Sequence, residues 1–574
     1  MKKILFYLAA PALMVSACTS NSGEEKLRMS RFDEVRVGGE LSGRIHRNFD
    51  RMETGKYLPE KLFLTPEESG WWPGDTEGRT ILAIVLDAQA TGREPKTLDA
   101  IFARYPTQLN EDGYFGYIPP DSLVDEQQLS GNGWVLRALS EYYLWKKDEQ
   151  TLGYLNQMLD NLALRTKGFH DKYPLNPEER NLTLGEAIGT RIEGTLNGWI
   201  LSTDIGCDFV FLDGLIHAYE VTGREDVRPV IDEIIDLYRR IDVEEIKAQT
   251  HSTLTGMRGM LRYYNLTGDE SLLEMAKARF DAYIKRATTE NYENFNWFGR
   301  PEWTESCAVL DSYMVAVQLW KYTGNPAYLA DAQKIYYNGI CFGQRDNGGF
   351  GTSQCCGAFN QKSVVVSAYE ASQCCSMRGG EALSFAARYA AFIKGNQIFL
   401  TNLVTGSYAL QLSKGEAQFT VDTDYPFANE AKVTFNDDAK NLAFSFFRPA
   451  WITDVKVSIN GKEAASAEEN GFVVISGSRK KGDVLDITFN QKAVALDAES
   501  PTSMKDVHKY MYGPLVLGVK DGNIESLPKD AVIEKTGRQT FMVGNQPMTT
   551  VYHFMEPEVT ANHPRYGIQI LFGK

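Results

Sequence analysis

The sequence predicts a multidomain α+β protein in which an (α/α) toroid is followed by a β-sandwich, and three observations lead there. One phrase, the end of an amphipathic helix closed by a turn, recurs five times between residues 86 and 329. After about Gly395 the apolar periodicity changes from helical to alternating. The chain of 574 residues is long enough for two to four domains' worth of core.

The chain opens with residues 1–17, which carry two lysines, an apolar stretch from Ile4 to Val15 and small residues before Cys18. That pattern is a cleaved export signal, and its apolar run is too short for a permanent transmembrane helix. Val15-Ser16-Ala17-Cys18 resembles a bacterial lipobox, which makes Cys18 the expected lipidation site and residues 18–30 a lipidated tether. Thr19 follows it where inner-membrane retention is associated with aspartate, so the expected place is the outer membrane, on its periplasmic or outer face.

Residues 31–394 are expected to form the toroid. The repeated phrase reads LDAQATGREP (86–95), LSEYYLWKKDE (139–149), LIHAYEVTGRED (215–226), LRYYNLTGDESLL (261–273) and VQLWKYTGNPAYL (317–329). Most copies close a helix with Thr-Gly and begin the next one at once. Their spacing fits one helical hairpin plus a variable loop. Five or more hairpins with long, uneven loops predict a closed ring, six hairpins in all. The polar and aromatic stretches WWPGDTEGR (71–79), LSGNGW (129–134) and STDIGCDF (202–209) would then converge on a central pocket.

Residues 395–574 are expected to be β-sandwich. NQIFLTNLV, AQFTVDTDY, KVTFND, LAFSFFRP, VKVSING, GFVVISG and DVLDITFN are short alternating runs divided by Gly, Asn, Asp and Lys turns. The early run 34–39, EVRVGG, has the same character and is expected to join that sandwich from the other end of the chain.

A formal charge of -15 argues against nucleic acid or anionic lipid as a partner, leaving membrane contact to the lipid anchor. Nine tryptophans and 28 tyrosines suit a carbohydrate surface, since such rings offer rigid apolar platforms with a polar tip. Core packing accounts for the same composition.

The densest chemistry lies in the thiols. Glu305 and Cys307 are followed about 70 residues on by the adjacent pair Cys374 and Cys375. Three thiols and a carboxylate suit one tetrahedral Zn2+, and a thiolate held there is a nucleophile. Buried inert thiols or an oxidised pair are the alternatives. Adjacent cysteines bond each other only with strain, however. Cys374 and Cys375 open a helical pattern whose N-terminal field favours thiolate. Cys355 and Cys356 lie in a glycine-rich loop and are assigned as structural or loop thiols, and Cys207 and Cys341 as buried ones. Asp75, Trp297, Arg300 and Trp303 are candidate substrate-binding residues, the last three because they precede or flank Glu305. Asp75, with Glu77 and Arg79, could equally be a solvated helix start, and His217 a satisfied structural histidine.

Over most of its mature length the chain resembles glycoside hydrolase family 127, the β-L-arabinofuranosidases. The resemblance is carried by VRVGGELSGRI, by WTESCAVLDS around Glu305 and Cys307, and by YEASQCCSMRGGEAL around Cys374 and Cys375. FRPAW, VSINGK, KKGDVLDITF and YGPLVLG add weaker support. The resemblance implies a retaining, exo-acting glycosidase that releases a terminal β-L-arabinofuranose or related furanose-like sugar from plant cell-wall oligosaccharides. It implies Glu305, Cys307, Cys374 and Cys375 as zinc ligands and Cys374 as nucleophile. The acid/base falls on Glu290, with Glu293 in reserve. The family's sugar-contacting histidines fall here on GNGW, CDFVFLDG and TGMRGML, with His251 near but out of register, and an expected glutamate is Gln333. An acidic or deoxygenated furanose-like sugar therefore fits as well as arabinofuranose. Two other classes stay open: a non-catalytic glycan-binding surface lipoprotein with structural zinc, and a toroid polysaccharide lyase, against which a total of seven histidines weighs.

Overall fold

The computed structural model describes residues 25–574 except 66–67, 69–71, 177, 179–188, 301, 357–360, 500–503, 553–564 and 574. The export signal and Cys18 lie outside the described residues. Six helices form the inner wall of a ring: Asp75–Thr91, Glu126–Lys146, Asp208–Thr222, Thr250–Thr267, Ser306–Thr323 and Cys375–Tyr389. Each packs on the next and the last packs on the first, which closes the ring. These helices are buried on nearly every face, from Asp75 to Ala88 in the first and from Glu126 to Glu141 in the second. Their sequences accordingly lack the one-sided pattern of a surface helix. The outer layer shows that pattern: Arg228–Arg240 buries Val230, Ile231, Ile234, Ile235, Leu237 and Tyr238 and leaves its charged face to water.

The Thr-Gly phrases end inner helices as the sequence predicts. Gly92, Gly223, Gly268 and Gly324 all hold the left-handed conformation at the C-cap, where a side chain would be strained. Every second helix runs outside, so the inner helices run parallel and their N-termini gather at one mouth of the ring. Close approach between inner helices depends on glycine: a Cβ on Gly214 would lie 2.1 Å from the carbonyl oxygen of Gly133, and one on Gly78 2.5 Å from the backbone of Trp134.

Two sheets make the sandwich. One has the strand order Arg28–Met29, Ala391–Lys394, Gln397–Leu400, Ala439–Phe447, Phe472–Arg479, Ala467–Glu469. The other ends on Val35–Val37, which pairs antiparallel with Gly406–Leu412 in the register Tyr408 to Val35. The start of the chain thus completes both sheets. The strands after Ala493 form a third sheet apart from those two. It includes Val507–Tyr512 and Leu515–Lys520, and it recruits Trp303–Thr304, Gly351–Gln354 and Ser363–Glu370 from loops of the ring. That recruitment fixes the strand entering Glu305, which positions the site. Among the described residues no helix is long and apolar enough to cross a membrane.

A candidate metal centre at one mouth of the ring

Glu305, Cys307, Cys374 and Cys375 come together, and one ligand atom from each lies within 4.8 Å of all the others. Cys307 Sγ and Cys374 Sγ are each 3.5 Å from Cys375 Sγ. Tetrahedral zinc with Zn–S bonds near 2.3 Å separates its sulfurs by roughly 3.8 Å, so the donor set fits that ion in number, type and spacing. These three sulfurs are thiols, not disulfides.

Local structure explains the assembly. Glu305 occupies the N-cap of Ser306–Thr323 without capping it, Cys307 is in the first turn, and Cys374 is the N-cap of Cys375–Tyr389. Two helix N-termini therefore aim their positive ends at the same sulfurs, which favours thiolate. Arg79 reinforces the field, with Nη1 3.6 Å from Cys307 Sγ. Cys374 is held well below the usual thiol range, chiefly because the Cys307 and Cys375 thiols hydrogen bond to it. Burial pushes Cys307 and Cys375 up, and burial also raises Glu305, with the neighbouring Cys374 adding to it. Cys374 is also the one member of the four that is not fully buried. The most acidic sulfur is thus the one with solvent access.

The other candidate residues divide. Asp75 is buried and paired with Arg79 at 2.7 Å, next to the cluster. Burial raises its carboxyl while Arg79 opposes the shift. Trp297 donates from Nε1 to Asp204 Oδ1 at 2.9 Å, packs edge-on against Trp303 and carries the Arg300 guanidinium 4.0 Å above its ring. Asp204 acts electrostatically on Glu305, so this aromatic and cationic wall adjoins the centre. The fold does not bring Glu290 into that group. Its carboxylate accepts from Lys509 Nζ at 2.8 Å and lines a cavity with Lys334, Asp331 and Asp497, whose walls include none of the four ligands. Glu293 is buried, accepts from Asn291 and from Ser353 at 2.8 Å each, and is pushed up to about 7 by burial. Ser353 pairs with Thr304, the residue before Glu305.

Cys355 and Cys356 stay outside the ligand group, Cys355 Sγ lying 3.4 Å from Thr304 Oγ1 and Cys356 Sγ 3.7 Å from the carbonyl of Gln361. His251 stacks on Trp134 and sits 3.1 Å from Asp311, and burial lowers it to about 4, so it is neutral. Gln333 accepts from Tyr425 Oη at 2.8 Å and donates to the carbonyl of Thr401, joining ring to sandwich.

Sequence reasoning did not anticipate what lies beneath the centre. Arg137, Arg258 and Arg378 all pair with the buried Glu381, and Arg258 and Arg378 also with Asp311. The three guanidiniums hold Glu381 well below the carboxylate range against the cost of its burial. Arg79 and Arg378 both stack on Trp134, at 4.6 and 4.4 Å. The available signal was charge inside helices that are otherwise buried all round, as in MRGGE (377–381).

The sequence model of the GH127 β-L-arabinofuranosidase middle domain matches residues 399–491, most of the sandwich. The chain superposes on a solved GH127 β-arabinofuranosidase at 13% identity, covering 96% of this chain and 98% of that one with a TM-score of 0.67. The fold is that of the GH127 enzymes. A GH127 β-L-arabinofuranosidase from Geobacillus stearothermophilus T6 gives 14% identity, coverage of 94% and 99%, and a TM-score of 0.69. A further glycoside hydrolase gives 15%, 96% and 98%, and 0.68. No curated protein matches the chain in sequence.

Proposed function

We propose that the protein is a retaining glycoside hydrolase that removes a terminal β-L-arabinofuranose, or a related furanose-like sugar, from plant cell-wall oligosaccharides with Cys374 as nucleophile. The observation that carries this reading is the convergence of Glu305, Cys307, Cys374 and Cys375 at the mouth of a GH127-fold ring. Zinc held by these four would keep the sulfurs deprotonated and tie two helix ends together. Cys374 Sγ attacks the anomeric carbon, the glycosidic C–O bond breaks, and a carboxylic acid gives its proton to the departing oxygen. The same group, now a carboxylate, takes a proton from water, whose oxygen displaces the sulfur and restores the thiolate. Two inversions give net retention.

For the acid/base we favour Glu293 over Glu290. A carboxyl near 7 can hold and release a proton at neutral pH, whereas Glu290 is committed to the Lys509 ammonium. Asp75, Trp297, Arg300 and Trp303 are assigned to sugar binding. Export and anchoring through Cys18 to the outer membrane complete the proposal, and partition of the native protein with membranes, lost in Cys18→Ala, tests that part.

The decisive experiment offers aryl β-L-arabinofuranosides and pectin oligosaccharides to the zinc-loaded protein and follows the anomeric proton by NMR. Retention of configuration, with no turnover by Cys374→Ser, is expected. Inverted product, or near-normal turnover by Cys374→Ser, would overturn the mechanism.

A further inference from the structure

The opposite mouth of the ring holds a cavity. The inner helices are parallel, so their C-terminal turns meet at the end away from the cysteines, about 22 Å off along the 15-residue helix Cys375–Tyr389. A cavity of about 240 Å³ opens there. Its wall carries Arg258, Arg262, Lys321 and Arg388 against Glu141 and Glu220. His217, also in the wall, is neutral because burial holds it far below its usual range.

Most of those charges are satisfied from within the fold. Arg258 is taken by Asp311 and Glu381, Arg262 by Asp213 and Glu220 at 3.2 and 3.1 Å, and Glu141 by Arg137 at 3.1 Å. Lys321 and Arg388 are not. Lys321 Nζ donates to Tyr322 Oη at 3.2 Å, and Arg388 Nε donates to the carbonyl of Ser30 at 2.9 Å while its guanidinium lies over Phe32 and Phe385. Among the described residues neither forms an ion pair with a carboxylate. Two cations thus flank one cavity with no carboxylate in contact, Glu141 acting on Arg388 and Glu220 on Lys321 only through space. Gln318 in the same wall has its Oε1 buried with no donor, and Tyr322, Phe385 and Phe392 supply apolar walls.

We propose that this cavity binds a small hydroxylated anion, such as a sugar acid, its acidic group between Lys321 and Arg388 and a hydroxyl donating to Gln318. Partly buried cations without a carboxylate in contact are costly, and an anion bridging two of them offsets that cost. Lys321 is already held down to about 8, by burial and then by repulsion from Arg388, with Glu220 opposing and Lys26 adding to the repulsion. Arg258 and Arg388 keep their charge throughout the neutral range, and His217 stays neutral. Lys321 is therefore the wall cation that discharges as pH rises past about 8.

The test is isothermal titration of the full, zinc-loaded protein with D-glucuronate, glucose 6-phosphate and glucose. Glucuronate is expected to bind and glucose not to. Lys321→Gln should weaken glucuronate by about tenfold while leaving glycosidase turnover unchanged, and Lys321→Arg should retain binding. Raising the pH from 7 to about 9 should weaken binding to the parent protein and spare Lys321→Arg. Preference for glucose 6-phosphate over glucuronate would make the ligand a phosphate ester, with the same two cations as its seat. The proposal fails if neither anion binds, if glucose binds as tightly as the anions, or if Lys321→Gln binds glucuronate as the parent does.

Discussion

At the scale of single residues, the four candidate ligands and Glu293 behave in opposite ways. Cys307 and Cys375 are fully buried thiols within the candidate ligand set. Cys307→Ser is therefore expected to lose the metal, by elemental analysis, and to unfold at lower temperature, because ligand binding is folding free energy in such sites. Cys355→Ser with Cys356→Ser should keep both properties. Glu293 is raised from 4.5 to about 7 by burial, so the folded chain holds its proton more tightly than the unfolded chain does. Stability from this group is fully present below pH 4.5 and falls as pH rises towards 7, by up to about 3 kcal/mol. Glu293→Gln should consequently be more stable than the parent in urea above pH 7, with the advantage vanishing near pH 4.5. The same variant should slow poor leaving groups far more than activated aryl glycosides.

Among the elements, the ring is limited by how closely its inner helices approach. Gly214→Ala would press a methyl group 2.1 Å from a backbone oxygen of the neighbouring helix, and backbone cannot swing aside as a side chain can. Chemical denaturation is expected to show a loss of about 1–3 kcal/mol. Gly153, in the outer helix Glu149–Met158, has open space around its Cβ position. Gly153→Ala should leave the protein as stable or raise it by about 0.5–1 kcal/mol. Equal gains from both would mean that helix propensity, not close packing, governs the ring.

For the whole molecule, the third sheet clamps the ring near the site, and the buried pair Glu290–Lys509 is part of the clamp. Removing one partner strands a charge, so Glu290→Gln or Lys509→Met alone should cost about 3–5 kcal/mol. Replacing both by apolar residues, Glu290→Leu with Lys509→Met, should restore most of it. Unfolding midpoints measure the cycle, and kinetics decide the role. A stable Glu290→Gln protein that selectively loses poor leaving groups would return the acid/base assignment to Glu290.

Much of this architecture was legible in the chain because it is written in local signals. Thr-Gly closes four inner helices, at Gly92, Gly223, Gly268 and Gly324, since glycine takes the left-handed cap without strain, and alternation marks strands because side chains alternate across a sheet. The adjacency of Cys374 and Cys375, with Glu305 and Cys307, likewise showed a metal-type donor set before any geometry was known. Distance and burial are not local. Glu290 and Glu293 are three residues apart and indistinguishable in composition, yet one meets a lysine from residue 509 and the other a serine beside the entering strand of Glu305. The strands after Ala493 look like those before it, and only pairing partners drawn from the ring's own loops decided that they form a separate sheet. Lys321 and Arg388 stand 67 residues apart and share one cavity wall only because the closing ring brings their helix ends together.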